Sequence, residues 1–168
     1  MVPELRDVIV RILDGHRIMT LATNRPDGWP QATVVGYVND GLKLYCFVSR
    51  LGQKYANIIR DPRVSAAIAG DFAEPTDIKG LSLAGNAAPV TDGLEFDRAY
   101  QIFLKRHPAY ATWPRPSPAI SPILRVTPTV MSVLDYSKGF GHSDLVKIED
   151  GDLKPGRAER HPWLGSGT

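Results

Sequence analysis

A single cysteine, Cys46, is all the thiol chemistry available, which excludes an internal disulfide and any CxxC metal pair. No stretch approaches the roughly 18 uninterrupted apolar residues that a membrane helix needs, so no membrane partner is expected. Residues 1–14 carry Glu4, Arg6, Asp7, Arg11 and Asp14, which is at odds with the apolar core of a signal peptide. A cytoplasmic location is therefore expected. Lys and Arg form no continuous stripe and the formal net charge is only +2, so nucleic acid is not an expected partner either. What remains is ordinary globular material. With 43% hydrophobic and 23% charged residues in a chain of 168, there is enough for one domain with a real core.

Apolar periodicity organises that material. Leu5, Val8, Ile9, Ile12 and Leu13 recur at helical spacing over 3–14, and Gly15 ends the run. Residues 17–23 read as a strand, 24–28 as a Pro-Asp-Gly turn, and 29–38 as a second strand. Asn39-Asp40-Gly41 signals a hairpin into a third strand, 42–49. A short helix over 53–62 stops at Asp61-Pro62. Strands follow at 63–70 and 81–91, with Gly85 read as a bulge or close approach. A helix over 92–106 takes its apolar stripe from Leu94, Ala99, Ile102 and Phe103. Six of the 14 prolines fall between Pro108 and Pro128, so that segment reads as an extended connector. A sixth strand returns at 126–136, followed by a polar, glycine-punctuated loop. Six strands, tight turns and flanking helices suggest a small antiparallel barrel.

The segment 47–65 is richest in chemistry. A strand ends at Ser49-Arg50, a glycine loop follows, and a helix opens near Gln53-Lys54. A hydroxyl, a guanidinium, free amides and an ammonium within six residues are what a phosphate dianion requires. The plainer reading is that Arg50 and Lys54 solvate a loop.

In order along the chain, LAT, QATVV, LYCFVSR and QKYANIIRDPRVS resemble the landmarks of the pyridoxamine 5′-phosphate oxidase-like FMN-binding split barrels. The likeness covers residues 15–70 and continues more loosely through LSLAGNAAPV. It implies a mainly β fold with flanking helices, a six-stranded antiparallel split β-barrel over residues 1–150, with 151–168 as a C-terminal tail. It also implies a homodimer whose shared interface holds FMN. Ser49, Arg50 and Lys54 match the family's phosphate-holding residues, and Gln53 sits beside them. Gln31, Ala32, Thr33 and Val34, with Tyr45, Cys46 and Phe47, would line the ring. The residues depart from the oxidases proper at Gln31 and Val35-Gly36, where those enzymes carry basic residues. The chain also lacks their C-terminal Arg-x-His. The resemblance therefore implies the fold and the cradle, with hydride or electron transfer to a small-molecule substrate other than pyridoxamine phosphate.

A second cluster, Tyr136 and Lys138–His142, could close over a planar cofactor, Lys138 stabilising its reduced form and His142 acting as acid or base. An ordinary glycine turn is the alternative. The tail is expected to pack poorly unless a partner subunit holds it. His16, His107 and His161 have no metal-ligand spacing and read as surface or capping residues. Trp113 and Trp163 read as packing or interface residues. Three other functions stay open: a deazaflavin-dependent reductase, which needs basic residues beyond Lys54; a haem-binding relative, with His142 as the axial candidate; and a non-catalytic flavin store or sensor.

Overall fold

In the computed structural model, residues 2–156 are described. The expected tail beyond them, with His161 and Trp163, lies outside the described residues. Three helices, α1 (Val2–Gly15), α2 (Gln53–Arg60) and α3 (Gly93–Arg106), surround one curled antiparallel sheet. Its strands are β1 (Ile18–Asn24), β2 (Pro30–Gly36), β3 (Val38–Asp40), β4 (Lys43–Phe47), β5 (Arg63–Ala69), β6 (Lys79–Pro89), β7 (Ile123–Asp135), β8 (Ser143–Glu149) and β9 (Asp152–Pro155).

The sheet order is β2-β1-β5-β6-β7-β4-β3. Its two ends, β2 and β3, are neighbours in the chain, joined by Tyr37 alone, so the sheet must curl back on itself into a half-barrel. Tyr37 is fully buried; its amide donates to the Arg17 carbonyl (3.0 Å) and its hydroxyl to the Leu13 carbonyl (2.8 Å). This break turns one expected strand into two. The other two strands beyond the expected six are the β8–β9 hairpin, which turns at Asp150-Gly151 and pairs β8 with the C-terminal half of β7. Residues 152–155, expected as tail, are thus a paired strand, and Leu153 is buried in the core.

Alternation along the strands fills the barrel. β5 is buried at every second residue, Val64, Ala66 and Ile68, and these meet Met19, Leu21, Leu81, Leu83 and Met131. Ile9 and Leu13 of α1 and Ile58 of α2 seal the same core. A second, smaller core lies under α3. There Phe96, Ala99 and Phe103 pack on Val38, Tyr45, Val90 and Ile123. The working stripe of α3 includes Phe96 and Tyr100 rather than the expected Leu94, which is 82% exposed. Asp92 caps the helix by accepting from the Glu95 amide at 2.7 Å.

Candidate functional site

β4 ends at Phe47, and the chain then leaves the sheet with the Val48 amide on the Pro122 carbonyl (3.2 Å) and the Arg50 amide on the Ile120 carbonyl (3.0 Å). The Ser49 carbonyl accepts the Gly52 amide at 3.0 Å, closing a tight turn. A Cβ at residue 52 would stand 3.2 Å from that carbonyl, which is why glycine suits the position. Gly52 is also the N-cap of α2 and offers no side chain to its amides. The first turn of α2 therefore presents backbone N–H groups with no side-chain cap, the usual setting for an anion.

Lys54 stands in that first turn. It is partly buried, and burial pushes its pKa below the ordinary lysine value. No carboxylate lies within ion-pair distance of it among the described residues. Ser49, in the turn before the helix, is exposed, its Oγ accepting the Leu51 amide at 3.3 Å. Arg50 turns elsewhere. Its guanidinium lies 5.4 Å from the centroid of the Tyr55 ring and donates to the Pro118 carbonyl at 3.3 Å. There it borders a groove of about 420 Å³ shared with Asp92, Asp97 and Arg115. The chain thus places Ser49 in the turn before α2 and Gln53 and Lys54 in its first turn, and directs Arg50 toward the proline-rich connector.

The residues expected along the ring divide by strand geometry. Gln31 and Thr33 share the side of β2 that carries buried Val35, while Ala32 and Val34 face solvent. The Thr33 Oγ1 is buried with no hydrogen-bond partner, an orphan that a bound polar group would satisfy. Tyr45, Cys46 and Phe47 are committed to the two cores. The Tyr45 hydroxyl donates to Glu95 Oε1 (3.0 Å) beneath α3, and burial pushes its pKa up to about 12. The Phe47 ring packs 4.4 Å from that of Phe103. Cys46 is fully buried and its thiol is pushed up to about 12 by burial, so it is no nucleophile at neutral pH. The sequence gives Tyr45 and Phe47 a face of their own, and α3 covers that face.

One functional candidate comes from the structure alone. Asn57 is fully buried on α2; its Nδ2 donates to Thr23 Oγ1 and to Gln31 Oε1, both at 3.0 Å. Its Oδ1 accepts from Gln53 Nε2 at 2.8 Å. The sequence signal is an amide on the otherwise apolar inner face of YANIIR, one turn after Lys54.

The loop with Lys138 and His142 lies at the other end of β7. Lys138 Nζ (3.0 Å) and His142 Nε2 (3.2 Å) both meet Asp144 Oδ2. The hydrogen bond to Asp144 raises the Lys138 pKa. Gly139 and Gly141 have φ of 134° and 75°, and Phe140 between them is 94% exposed. The cradle joins β7 at Pro122 and the loop joins it at Asp135; thirteen strand residues, on the order of 40 Å of chain, separate them. Within one chain the two clusters do not meet. His16 and His107 are spent on the carbonyls of Ile12 (2.8 Å) and Tyr37 (3.5 Å).

Across β2, β1, β5 and β6 the outer face of the sheet is open. Ala32, Ala22, Ser65 and Ala84 form one row across four strands, and Val34, Thr20, Ala67 and Ser82 form the next. These side chains are small and uncharged. At one end of the face a groove of about 900 Å³ runs over Ala22, Ser65, Gly85 and Asn86, rimmed by Arg25, Arg60 and Arg63. No helix among the described residues is long and apolar enough to cross a membrane.

Several solved structures share this architecture. A haem-binding protein from Mycobacterium smegmatis is 26% identical with a TM-score of 0.69; the match covers 82% of this chain but only 55% of that one. A Listeria innocua protein that carries the name pyridoxamine 5′-phosphate oxidase is 23% identical with a TM-score of 0.64, over 78% of this chain and 98% of its own. The Vibrio cholerae haem storage protein HutZ is 16% identical with a TM-score of 0.59, over 73% of this chain and 88% of its own. The last two likenesses speak to the fold. Among curated proteins none matches. The family model for pyridoxamine 5′-phosphate oxidase matches residues 5–133, most of the chain, and the chain belongs to that family.

Proposed function

We propose that this protein binds FMN by its phosphate, on Lys54, Ser49 and the first-turn amides of α2, and acts as an oxidoreductase on a small molecule. The observation that carries the reading is Lys54: a partly buried ammonium, with no carboxylate near it among the described residues, beside an uncapped helix start. Leaving a cation so placed is costly unless an anion completes it. The buried, orphaned Thr33 Oγ1 fits a polar ligand lying along β2. When bound, FMN supplies hydride and electron transfer, and the chain supplies position and electrostatics. Lys54 and the α2 amides hold the phosphate, and β2 offers its edge to the ring system.

The proposal includes a homodimer. The two rows of small, uncharged side chains on the outer sheet face allow close sheet-to-sheet approach, and a second copy seated there would roof the adjoining groove.

The absorption spectrum of the purified protein, followed by titration with FMN, tests the function. Flavin bands and saturable FMN binding support it. A Soret band with no flavin affinity would instead favour haem, which the M. smegmatis and V. cholerae neighbours bind or store by name. Sedimentation with FMN tests the dimer; a stable species of 18.5 kDa would sink it.

A further inference from the structure

Only two residues of α2 are buried, Ile58 and Asn57. Ile58 does what a helix facing a barrel core should do. Asn57 does not: asparagine is a poor helix former, and burying a carboxamide is unfavourable unless its polar atoms are paired. Here they are all paired. Nδ2 uses its two hydrogens on Thr23 of β1 and Gln31 of β2, and Oδ1 takes one from Gln53. One side chain thus joins the helix bearing Lys54 to the strands along which a flavin would lie.

The pairing has a directional consequence. Because Gln31 Oε1 accepts from Asn57, the Gln31 amide is held with its oxygen toward the helix. Its Nε2 is left as the free group, a donor with no protein partner among the described residues.

We propose that Asn57 is the positioning residue of the flavin site, tying the phosphate-binding helix to Gln31 and fixing Gln31 as a hydrogen-bond donor toward the ligand. This rests on the FMN reading above. Asn57 touches no ligand itself. It acts through Gln31, and its loss is felt at the ring end as well as the phosphate end.

Asn57→Asp keeps the shape and inverts the polarity. A carboxylate cannot donate, so Gln31 turns its Nε2 inward and presents its oxygen instead. The probes are FMN and riboflavin, which differ only in the phosphate. Lys54→Ala is expected to weaken FMN binding and leave riboflavin unchanged. Asn57→Asp is expected to weaken both, by about tenfold, and to shift the visible absorption bands of the bound flavin. In a Gln31→Leu background Asn57→Asp should have no further effect on riboflavin. Gln31→Met, at a partly exposed position, tests the ring end alone should Asn57→Asp fail to fold; it should weaken riboflavin as much as FMN. Riboflavin affinity and spectrum unchanged in Asn57→Asp, or in Gln31→Met, would overturn the assignment while leaving FMN binding intact. So would an Asn57→Asp effect that persists in Gln31→Leu. A wild-type protein that binds neither flavin would overturn the FMN reading, and this assignment with it.

Discussion

A Cβ on Gly85 would stand 2.3 Å from the carbonyl oxygen of Thr127 and 2.7 Å from the Cα of Pro128. The pairing of β6 with β7 shifts register between Ala84 and Gly85, so the two backbones close on each other there. The obstruction is backbone on both sides, and neither strand can yield without breaking the ladder between the two longest strands. Gly85→Ala should destabilise the protein by about 2–4 kcal/mol, read as a drop in the urea midpoint with an unchanged slope. A midpoint within error of wild type would show that the bulge can open freely.

Much of this frame was legible before the structure. The three helices, the turn at Gly28 and the bulge at Gly85 follow from local signals: apolar spacing, a residue tolerant of positive φ, and a glycine inside a strand pattern. What escaped was tertiary. Tyr45 and Phe47 alternate with Leu44 and Cys46 as a two-faced strand should, but nothing local reveals that α3 returns to bury the second face. The β8–β9 hairpin was missed although Asp150-Gly151, with φ of 52° and 83°, is a strong turn pair. Its strands are short and their alternation weak, so the polar residues around them read as a tail. In the candidate site the cations were visible, whereas Asn57 was hidden because a buried amide and an exposed one look alike in a sequence.

Lys54 gives a pH-dependent prediction. Burial lowers its folded pKa below the unfolded value, so charged Lys54 weighs fully against folding below the folded pKa, and that penalty is relieved as pH rises toward the unfolded value. A bound phosphate reverses this by favouring the ammonium. FMN affinity should therefore fall as pH rises through the Lys54 pKa, with proton uptake on binding in that range. Lys54→Met should lower FMN affinity at neutral pH by about 1.5–3 kcal/mol and remove the alkaline fall. Isothermal titration in two buffers of different ionisation enthalpy measures both. Equal affinity in the mutant would remove Lys54 from the site.

Asp61 should govern part of the acid limb. The Arg63 guanidinium bonds both its oxygens (2.9 and 2.7 Å), the Arg63 amide adds a third bond, and Asn24 a fourth. Together they hold its carboxyl well below the usual range. The stability it contributes is full above the unfolded carboxyl pKa, near 3.9, and is lost as pH falls toward the depressed folded value. Asp61→Asn should leave a melting temperature that falls less steeply below about pH 4 than that of wild type. Parallel acid limbs for the two proteins would count against the pairing.

Lys138 and His142 are the remaining candidates for the chemistry, and their position makes the test specific. Both are tied to Asp144 at the far end of β7 from the cradle, so only a second copy of the chain can bring them to a flavin held at Lys54. A lysine ammonium beside the ring favours the reduced, more negative state of the cofactor, and a histidine there can give or take a proton. Lys138→Ala should therefore lower the flavin reduction potential, and His142→Ala should lower turnover, while FMN affinity stays as in wild type. Both effects should also fade as dilution separates the copies, because a monomer keeps the cradle and loses the loop. Asp144→Ala sharpens the case: it releases both side chains without removing either, so potential and turnover should change again rather than match the deletions. Wild-type potential and turnover in Lys138→Ala and His142→Ala, with FMN bound normally, would reduce residues 136–142 to a glycine turn held by one aspartate.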